Sequence, residues 1–297
     1  MRARTLSLMI IAAAVLSGCA TSRPAGTISP ATISPPTQST RDLANLPPPA
    51  GVIPVAVYGM RDQTGQYKPS PDSSFSTSVT QGAASLLVSA LRDSRWFKPV
   101  ERENLQDLLT ERKIVRALEQ PQDQAQGQLP PLRPANMIVE GAIVAYESNV
   151  RTGGFGVRYL GIGPSDLYRQ DQVTINLRAV DIRTGDIIQS VTTTKTVFSI
   201  QLDFGVFKFV SLRHLLEIET GLSRNEPVQQ CVREAIEAGL IHLIAQGARD
   251  GSWNLKNPDD LKKPLLAGYL KAYDEQTMST PMTAAEQSKL SGETHAQ

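Results

Sequence analysis

The sequence 172–179, Gln-Val-Thr-Ile-Asn-Leu-Arg-Ala, has an apolar residue at every odd position and a polar residue at every even position. This alternation is typical of a β-strand with one apolar and one polar face. Residues 154–159 and 195–204 have the same two-residue period, which the strands of a transmembrane β-barrel need over about 9–11 residues. The pattern therefore predicts that these side chains face lipid: Phe155, Val157, Tyr159, Val173, Ile175, Leu177, Phe198, Ile200, Leu202 and Phe204.

The N-terminus carries the most specific local signal in the chain. Arg2 and Arg4 precede an apolar run, residues 6–16, that is too short to cross a membrane as a helix. Leu-Ser-Gly-Cys at 16–19 then resembles a bacterial lipoprotein signal, for which an ordinary secretory signal is the alternative. We expect residues 1–18 to be removed and Cys19 to carry the lipid that anchors the chain.

Residues 19–50 are rich in proline, serine and threonine and end in three consecutive prolines before Ala50. Such a composition predicts a linker between the lipid and the folded domain. Position 20 holds alanine rather than aspartate, which in such lipoproteins favours the outer membrane over the inner one. We therefore expect a lipid-anchored protein of the cell outer membrane with a periplasmic domain.

The composition excludes several classes of protein. Lysine and arginine number 30, and aspartate and glutamate 29, so no basic excess indicates nucleic-acid binding. One of the two cysteines, Cys19, is assigned to lipid, which leaves Cys231 without a disulfide partner in the chain. After the signal no apolar run reaches about 18 residues, so any membrane-spanning segment must consist of β-strands.

The rest of the chain alternates between strand and helix patterns, which is typical of an α/β domain. Residues 51–146 are predicted to form this periplasmic domain, with strands at 52–58, 96–100 and 138–146 and helices at 79–91 and 105–115. The first of these helices is expected to have its cap among the serines and threonines of 73–77. Residues 147–222 contain the alternating segments, which are predicted to be two-faced strands, and a tight turn at Gly185.

Two further segments complete the predicted domain. Residues 223–258 are predicted to add a helix that starts after Asn225, with Pro227 in its first turn. Cys231 lies on the apolar face of this helix, which indicates a core thiol rather than a nucleophile. Residues 259–297 are predicted to hold a C-terminal helix, interrupted at Pro264, and a disordered tail.

No catalytic, cofactor or metal site is predicted. The three histidines, His214, His242 and His295, form no recognisable metal-ligand motif with cysteines or carboxylates. The glycines of 153–156 superficially resemble a phosphate-binding loop, but they do not open a helix, as that motif requires. We therefore do not expect an enzyme.

Several sequence blocks match a known family in its own order. They comprise Asp62-Gln63-Thr64-Gly65-Gln66-Tyr67-Lys68-Pro69, Phe75-Ser76-Thr77, Asp93-Ser94-Arg95-Trp96-Phe97, Glu111-Arg112-Lys113-Ile114, Tyr146-Glu147-Ser148-Asn149-Val150 and Asn225-Glu226-Pro227-Val228. On these blocks the chain resembles the curli production assembly/transport component, an outer-membrane lipoprotein family that secretes amyloid subunits. The resemblance extends from Cys19 to about Asn257.

The resemblance implies an α/β periplasmic domain plus two transmembrane β-hairpins within residues 147–222, interleaved with strands of the periplasmic sheet. These transmembrane β-hairpins close into a β-barrel on oligomerisation into a nonameric ring. It identifies residues 66–75 as the constriction loop of the pore. The family has a tyrosine, an asparagine and a phenylalanine at the constriction, where this chain has Ser70, Ser74 and Phe75. Two smaller side chains imply a wider opening, with Phe75 as its apolar ring.

The implied function is an outer-membrane secretion channel that exports unfolded curli subunits by nucleotide-independent diffusion. The implied partners are further copies of the chain, the unfolded subunits, a periplasmic adaptor that caps the vestibule, a surface nucleation factor and the outer-membrane lipid. The alternative is a periplasmic lipoprotein that acts as a structural or assembly adaptor without a pore. In that case the apolar strand faces would cover a partner surface instead of meeting lipid.

Overall fold

The computed structural model describes residues 33–67, 77–118, 129–152, 167–202, 206–210 and 226–278. The helices are α1 Gln38–Ala44, α2 Ala83–Asp93, α3 Leu105–Leu118, α4 Glu226–Arg249 and α5 Pro264–Met278, with a 3₁₀-helix at Pro258–Lys262. The strands are β1 Ile53–Ala56, β2 Met60–Asp62, β3 Phe97–Val100, β4 Met137–Thr152, β5 Leu167–Asp181, β6 Ile187–Leu202 and β7 Val206–Val210. These elements belong to one unit, Pro36–Gln297. Residues 33–35 belong to a separate unit and have no regular secondary structure.

All seven described strands belong to one open sheet in the order β3-β1-β4-β5-β6-β7, with β2 beside β4. The strands β1, β2 and β3 are parallel to their neighbours, and α2 connects β1 to β3 as in a βαβ unit. β4 to β7 are antiparallel. The tight turn between β5 and β6 has Gly185 at φ +79°, as the sequence predicted. The mixed α/β fold is therefore confirmed.

Helix α4 covers one face of this sheet and corrects part of the lipid-facing prediction. Val173, Ile175 and Leu177 of β5 are fully buried in the core. A Cβ atom added at Gly239 of α4 would lie 3.1 Å from Leu177 Cδ1 and 3.6 Å from Ile175 Cδ1, so the helix backbone passes directly over these side chains. The prediction that these three residues face lipid is wrong, because a helix of the same chain covers them.

The start of helix α4 and the burial of its apolar face agree with the sequence prediction. It begins at Glu226, directly after Asn225, and Pro227 lies in its first turn. Cys231 is fully buried, which confirms it as a core residue. The helix contributes most of its apolar side chains to the same core as β5, because nearly every turn has residues that face the sheet.

The linker prediction for 19–50 is wrong in its C-terminal part. Thr37 caps α1, its hydroxyl accepting a hydrogen bond from the Thr40 amide at 3.1 Å. Leu43 of this helix is buried in the core. Further along, the Trp96 indole donates to the Pro47 carbonyl at 2.8 Å, so the three consecutive prolines pack on the domain. Composition alone did not reveal this docking, because it depends on contacts with distant residues.

Two helix boundaries also differ from the sequence prediction. α2 begins at Ala83, with Gly82 at the N-cap position, and not after the serines and threonines of 73–77. Pro264 does not interrupt a helix but begins α5, where its missing amide costs nothing because the first turn has no internal partner. Among the described residues, no helix is both long and apolar enough to cross a membrane.

Candidate functional site

The loop predicted to constrict a pore begins where β2 ends. Met60 of β2 is buried, and β2 pairs in parallel with residues 141–143 of β4. The Gln63 amide extends this contact by donating to the Ile143 carbonyl at 2.9 Å. The chain therefore enters the loop from a strand that the central sheet holds in place.

Asp62 organises the first residues of the loop. Its Oδ1 accepts hydrogen bonds from the Thr64 amide at 2.9 Å and from the Thr64 hydroxyl at 2.7 Å. Its Oδ2 accepts a bond from Gln81 Nε2 at 3.1 Å. Gly65 follows with φ +63°, a left-handed conformation that favours glycine. One carboxylate thus joins the residues before the loop to the residues after it.

The two ends of the loop meet at what we call the loop neck, formed by Gln66, Tyr67, Thr77 and Ser78. Tyr67 and Thr77 form an antiparallel bridge, and the Ser78 amide donates to the Gln66 carbonyl at 2.9 Å. The Thr77 hydroxyl also donates to the carbonyl of Val79, which is buried. The chain just before residue 68 and the chain just after residue 76 therefore meet at one point, and both are attached to the core.

The predicted constriction residues Ser70, Ser74 and Phe75 lie between the two sides of the loop neck, outside the described residues. Cys19 and the strand residues Phe155, Val157, Tyr159 and Phe204 also lie outside them. Phe198 and Ile200 of β6 pair with both β5 and β7, and Leu202 pairs with β7.

The central strands extend well beyond the helix that covers them. β4, β5 and β6 have 15 or 16 residues each, about 50 Å at the rise of an extended strand. Thr193 of β6 donates to the Ala235 carbonyl of α4 at 2.8 Å, and α4 begins only at Glu226. Nine residues of β6 follow Thr193 and nine residues of α4 precede Ala235, but a strand rises about twice as far per residue as a helix. The paired strands therefore continue past the first turn of α4 as a β-ribbon.

Titratable groups in the described part of the chain suit a structural role. Burial raises the pKa of the Cys231 thiol, so this thiol stays protonated. Burial lowers the pKa of His242, whose ring meets Tyr269 edge-on at 4.9 Å between centroids. No group of three His, Cys, Asp or Glu side chains suited to a metal ion occurs among the described residues.

Sequence reasoning missed the loop neck and the role of Asp62. The sequence Asp62-Gln63-Thr64-Gly65 did contain a usable signal, because an aspartate two residues before a threonine and three before a glycine is typical of a side-chain-stabilised turn. Gln81 lies 19 residues from Asp62, and no local pattern connects the two. The sequence predicted a loop in this part of the chain but not the attachment of its ends.

Comparisons with known proteins now identify the family. The family model described as Curli production assembly/transport component CsgG matches residues 37–277. Proteins of that description from Salmonella typhimurium and Escherichia coli strain K12 are 48% and 47% identical to the chain, each comparison covering 88% of this chain and 95% of the relative.

Among solved structures, a PelC dodecamer from Paraburkholderia phytofirmans covers 65% of this chain and 91% of its own. Its identity is 15% and its TM-score 0.30, a likeness too small to support an argument. The family match and the two relatives each span most of the chain, including the loop neck and α4. The chain therefore belongs to the family of curli production assembly/transport components.

Proposed function

We propose that the chain is one subunit of an oligomeric outer-membrane channel that exports unfolded curli subunits. The observation that carries this proposal is the loop neck, which attaches the chain just before residue 68 and just after residue 76 to the core. We infer that a segment anchored at both ends in this way keeps its position when a polypeptide moves past it. It can then serve as a fixed constriction.

The long antiparallel strands support the second part of the proposal. A single chain has too few strands to close a barrel, and an unpaired strand edge is not tolerated in lipid. Copies of the chain placed side by side would pair their strand edges and remove that cost. We therefore infer a ring, for which nine copies are expected, with Phe198, Ile200, Leu202 and the strand residues near Phe155 on its lipid-facing side.

The proposed transport needs no nucleotide. An unfolded polypeptide confined below the constriction loses conformational entropy and regains it outside, so export runs downhill. Phe75 would give the moving chain an apolar contact, while Ser70 and Ser74 would widen the opening. The further partners proposed are a periplasmic adaptor below the ring and a nucleation factor at the surface, and Cys19 would attach each subunit to the membrane.

Single-channel conductance in planar bilayers tests the proposal. Phe75→Ala should raise the conductance of the purified oligomer, because a large side chain leaves the narrowest point. Tyr58→Ala is the matched control, since Tyr58 is also an exposed aromatic residue but lies before β2, outside the loop. Equal conductance of Phe75→Ala and the parent would refute the constriction, and absence of any channel would favour the adaptor without a pore.

A further inference from the structure

A β-bulge in β4 decides which face each residue of the outer ribbon occupies. Ile143 pairs with Ile175 of β5, but Ala145 pairs with Thr174, so Val144 has no opposing residue. Tyr146 is therefore buried on the α4 side, as Ile143 is, although the two are three residues apart. Without the bulge, every residue of β4 after Val144 would change face.

Burial of apolar area favours the bulged register. Ala145 and Tyr146 are neighbours, and an unbulged strand would place Ala145 on the α4 side in place of Tyr146, which is buried. A tyrosine ring buries much more apolar area than the methyl group of alanine, so this exchange would destabilise the unbulged register. A specific contact adds to this preference.

Tyr146 and Asp171 supply that contact. The Tyr146 hydroxyl donates to Asp171 Oδ1 at 3.0 Å, and both residues are buried, with Asp171 only 1% exposed. In the unbulged register Glu147 would stand directly opposite Asp171 on the covered side. Two like charges in that position destabilise a strand pair. Asp171 thus favours the bulged register twice, by its bond to Tyr146 and by its repulsion of Glu147.

Partly exposed charged side chains lie between β6 and α4, near the buried Asp171 and Cys231. Lys195 of β6 forms an ion pair with Glu234 of α4, whose side chain is 14% exposed. After burial itself, the charge of Asp171 raises the pKa of the Cys231 thiol, the charge of Lys195 lowers it and that of Glu234 raises it. The four side chains therefore converge where the strands pass the first turns of the helix.

We propose that Tyr146 and Asp171 are positioning residues that set the facing of β4 as it leaves the helix-covered sheet. The functional consequence of this inference rests on the proposed function, because the face that each side chain occupies decides which side of the ribbon meets lipid. In the bulged register Glu147 lies exposed on the face opposite to α4. In the unbulged register its charge would move to the face of the apolar core.

Disulfide cross-linking in the full-length, membrane-extracted chain reports the register directly. Glu147→Cys with Gln172→Cys places the two thiols opposite each other in the bulged register. Ser148→Cys with Gln170→Cys does so only in the unbulged one, where the register of Ile143 and Ile175 would continue. Cys231 stays in place because its buried, protonated thiol does not compete.

Asp171→Val should raise the ratio of unbulged to bulged cross-linked product about tenfold, the change that roughly 1.4 kcal/mol produces. Asp171→Asn keeps an acceptor for Tyr146 and should restore most of the bulged product. Thr174→Val, on the opposite face of β5 beside the bulge, is the matched control and should leave the ratio unchanged. A folded Asp171→Val chain with the parent ratio would overturn the inference.

The cross-linking result and the channel measurement fail independently. A shifted ratio in a chain that forms no channel would contradict the proposed function and leave the register inference standing. A parent-like ratio in a chain that forms a conducting channel would contradict the register inference and leave the proposed function standing. Circular dichroism of Asp171→Val must show a folded chain before either conclusion, since removing one partner of the buried Tyr146–Asp171 hydrogen bond is destabilising.

Discussion

Removing the Asp62 carboxylate should open the loop neck without unfolding the domain. In Asp62→Ala, three hydrogen bonds disappear: those from the Thr64 amide, the Thr64 hydroxyl and Gln81. Each such bond contributes about 0.5–1.5 kcal/mol net. Because Asp62 is half-buried and Gln81 is exposed, water replaces some of the lost hydrogen bonds. We therefore expect the free energy of local opening to fall by about 2 kcal/mol.

Hydrogen exchange followed by mass spectrometry measures that opening. The Ser78 amide, which donates to Gln66 across the loop neck, should exchange roughly 30-fold faster in Asp62→Ala, as each 1.4 kcal/mol gives a factor of ten. Amides in the buried part of β5 should exchange as in the parent chain. Asp93→Ala, which removes an exposed carboxylate at the end of α2, should not affect Ser78. Parent-like exchange of Ser78 in Asp62→Ala would refute the assignment of Asp62 as the residue that joins the two ends.

Two further predictions concern the helices. Glu237→Ala removes a buried carboxylate that accepts hydrogen bonds from α1 and from Arg233. Since the Arg233 side chain keeps 25% exposure, we expect the free energy of unfolding measured in urea to fall by about 3 kcal/mol. The control Glu275→Ala, in an exposed pair, should lower it by less than about 0.5 kcal/mol. Equal losses in the two variants would contradict the docking of α1. His242 has a lowered pKa because burial favours its neutral form, so its contribution to stability is complete above about pH 6.5 and is lost as pH falls through the folded-state pKa. His242→Phe should therefore reduce the fall in the urea midpoint between pH 7 and pH 5, and an unchanged fall would show that another group is responsible.

The sequence predicted those elements whose signals are local. The turn at Gly185 needs a left-handed glycine, and α4 has both a proline in its first turn and an apolar stripe at helical spacing. These signals act within a few residues, so they remain valid whatever the rest of the chain does.

The sequence did not distinguish a helix from lipid as the cover of an apolar strand face. Val173, Ile175 and Leu177 alternate in the same way as residues that would face a membrane, and the strand pattern contains no information about what packs on it. The same limit applies to α1. Its neighbour Thr37 bonds to Glu237 at a separation of 200 residues, so the segment resembles a linker until the partner is in place.

The bulge at Val144 is a further feature that periodicity obscured. A single unpaired residue reverses the facing of everything after it, and the reversal leaves no mark in composition. Tyr146 belongs to a family block, yet its buried bond to Asp171 depends on how the two strands align. Local sequence patterns therefore did not predict the contacts that set the strand register, because those contacts join residues distant in the sequence.

Electron microscopy of the detergent-extracted full-length protein tests the central claim most directly. If the chain is a channel subunit, particles should be closed rings with a central pore, and class averages should show ninefold symmetry. Residues 68–76 should then lie at the narrowest point, with the loop neck of each subunit pointing to the ring axis. Monomeric particles, or rings whose narrowest point lies away from these residues, would contradict the account.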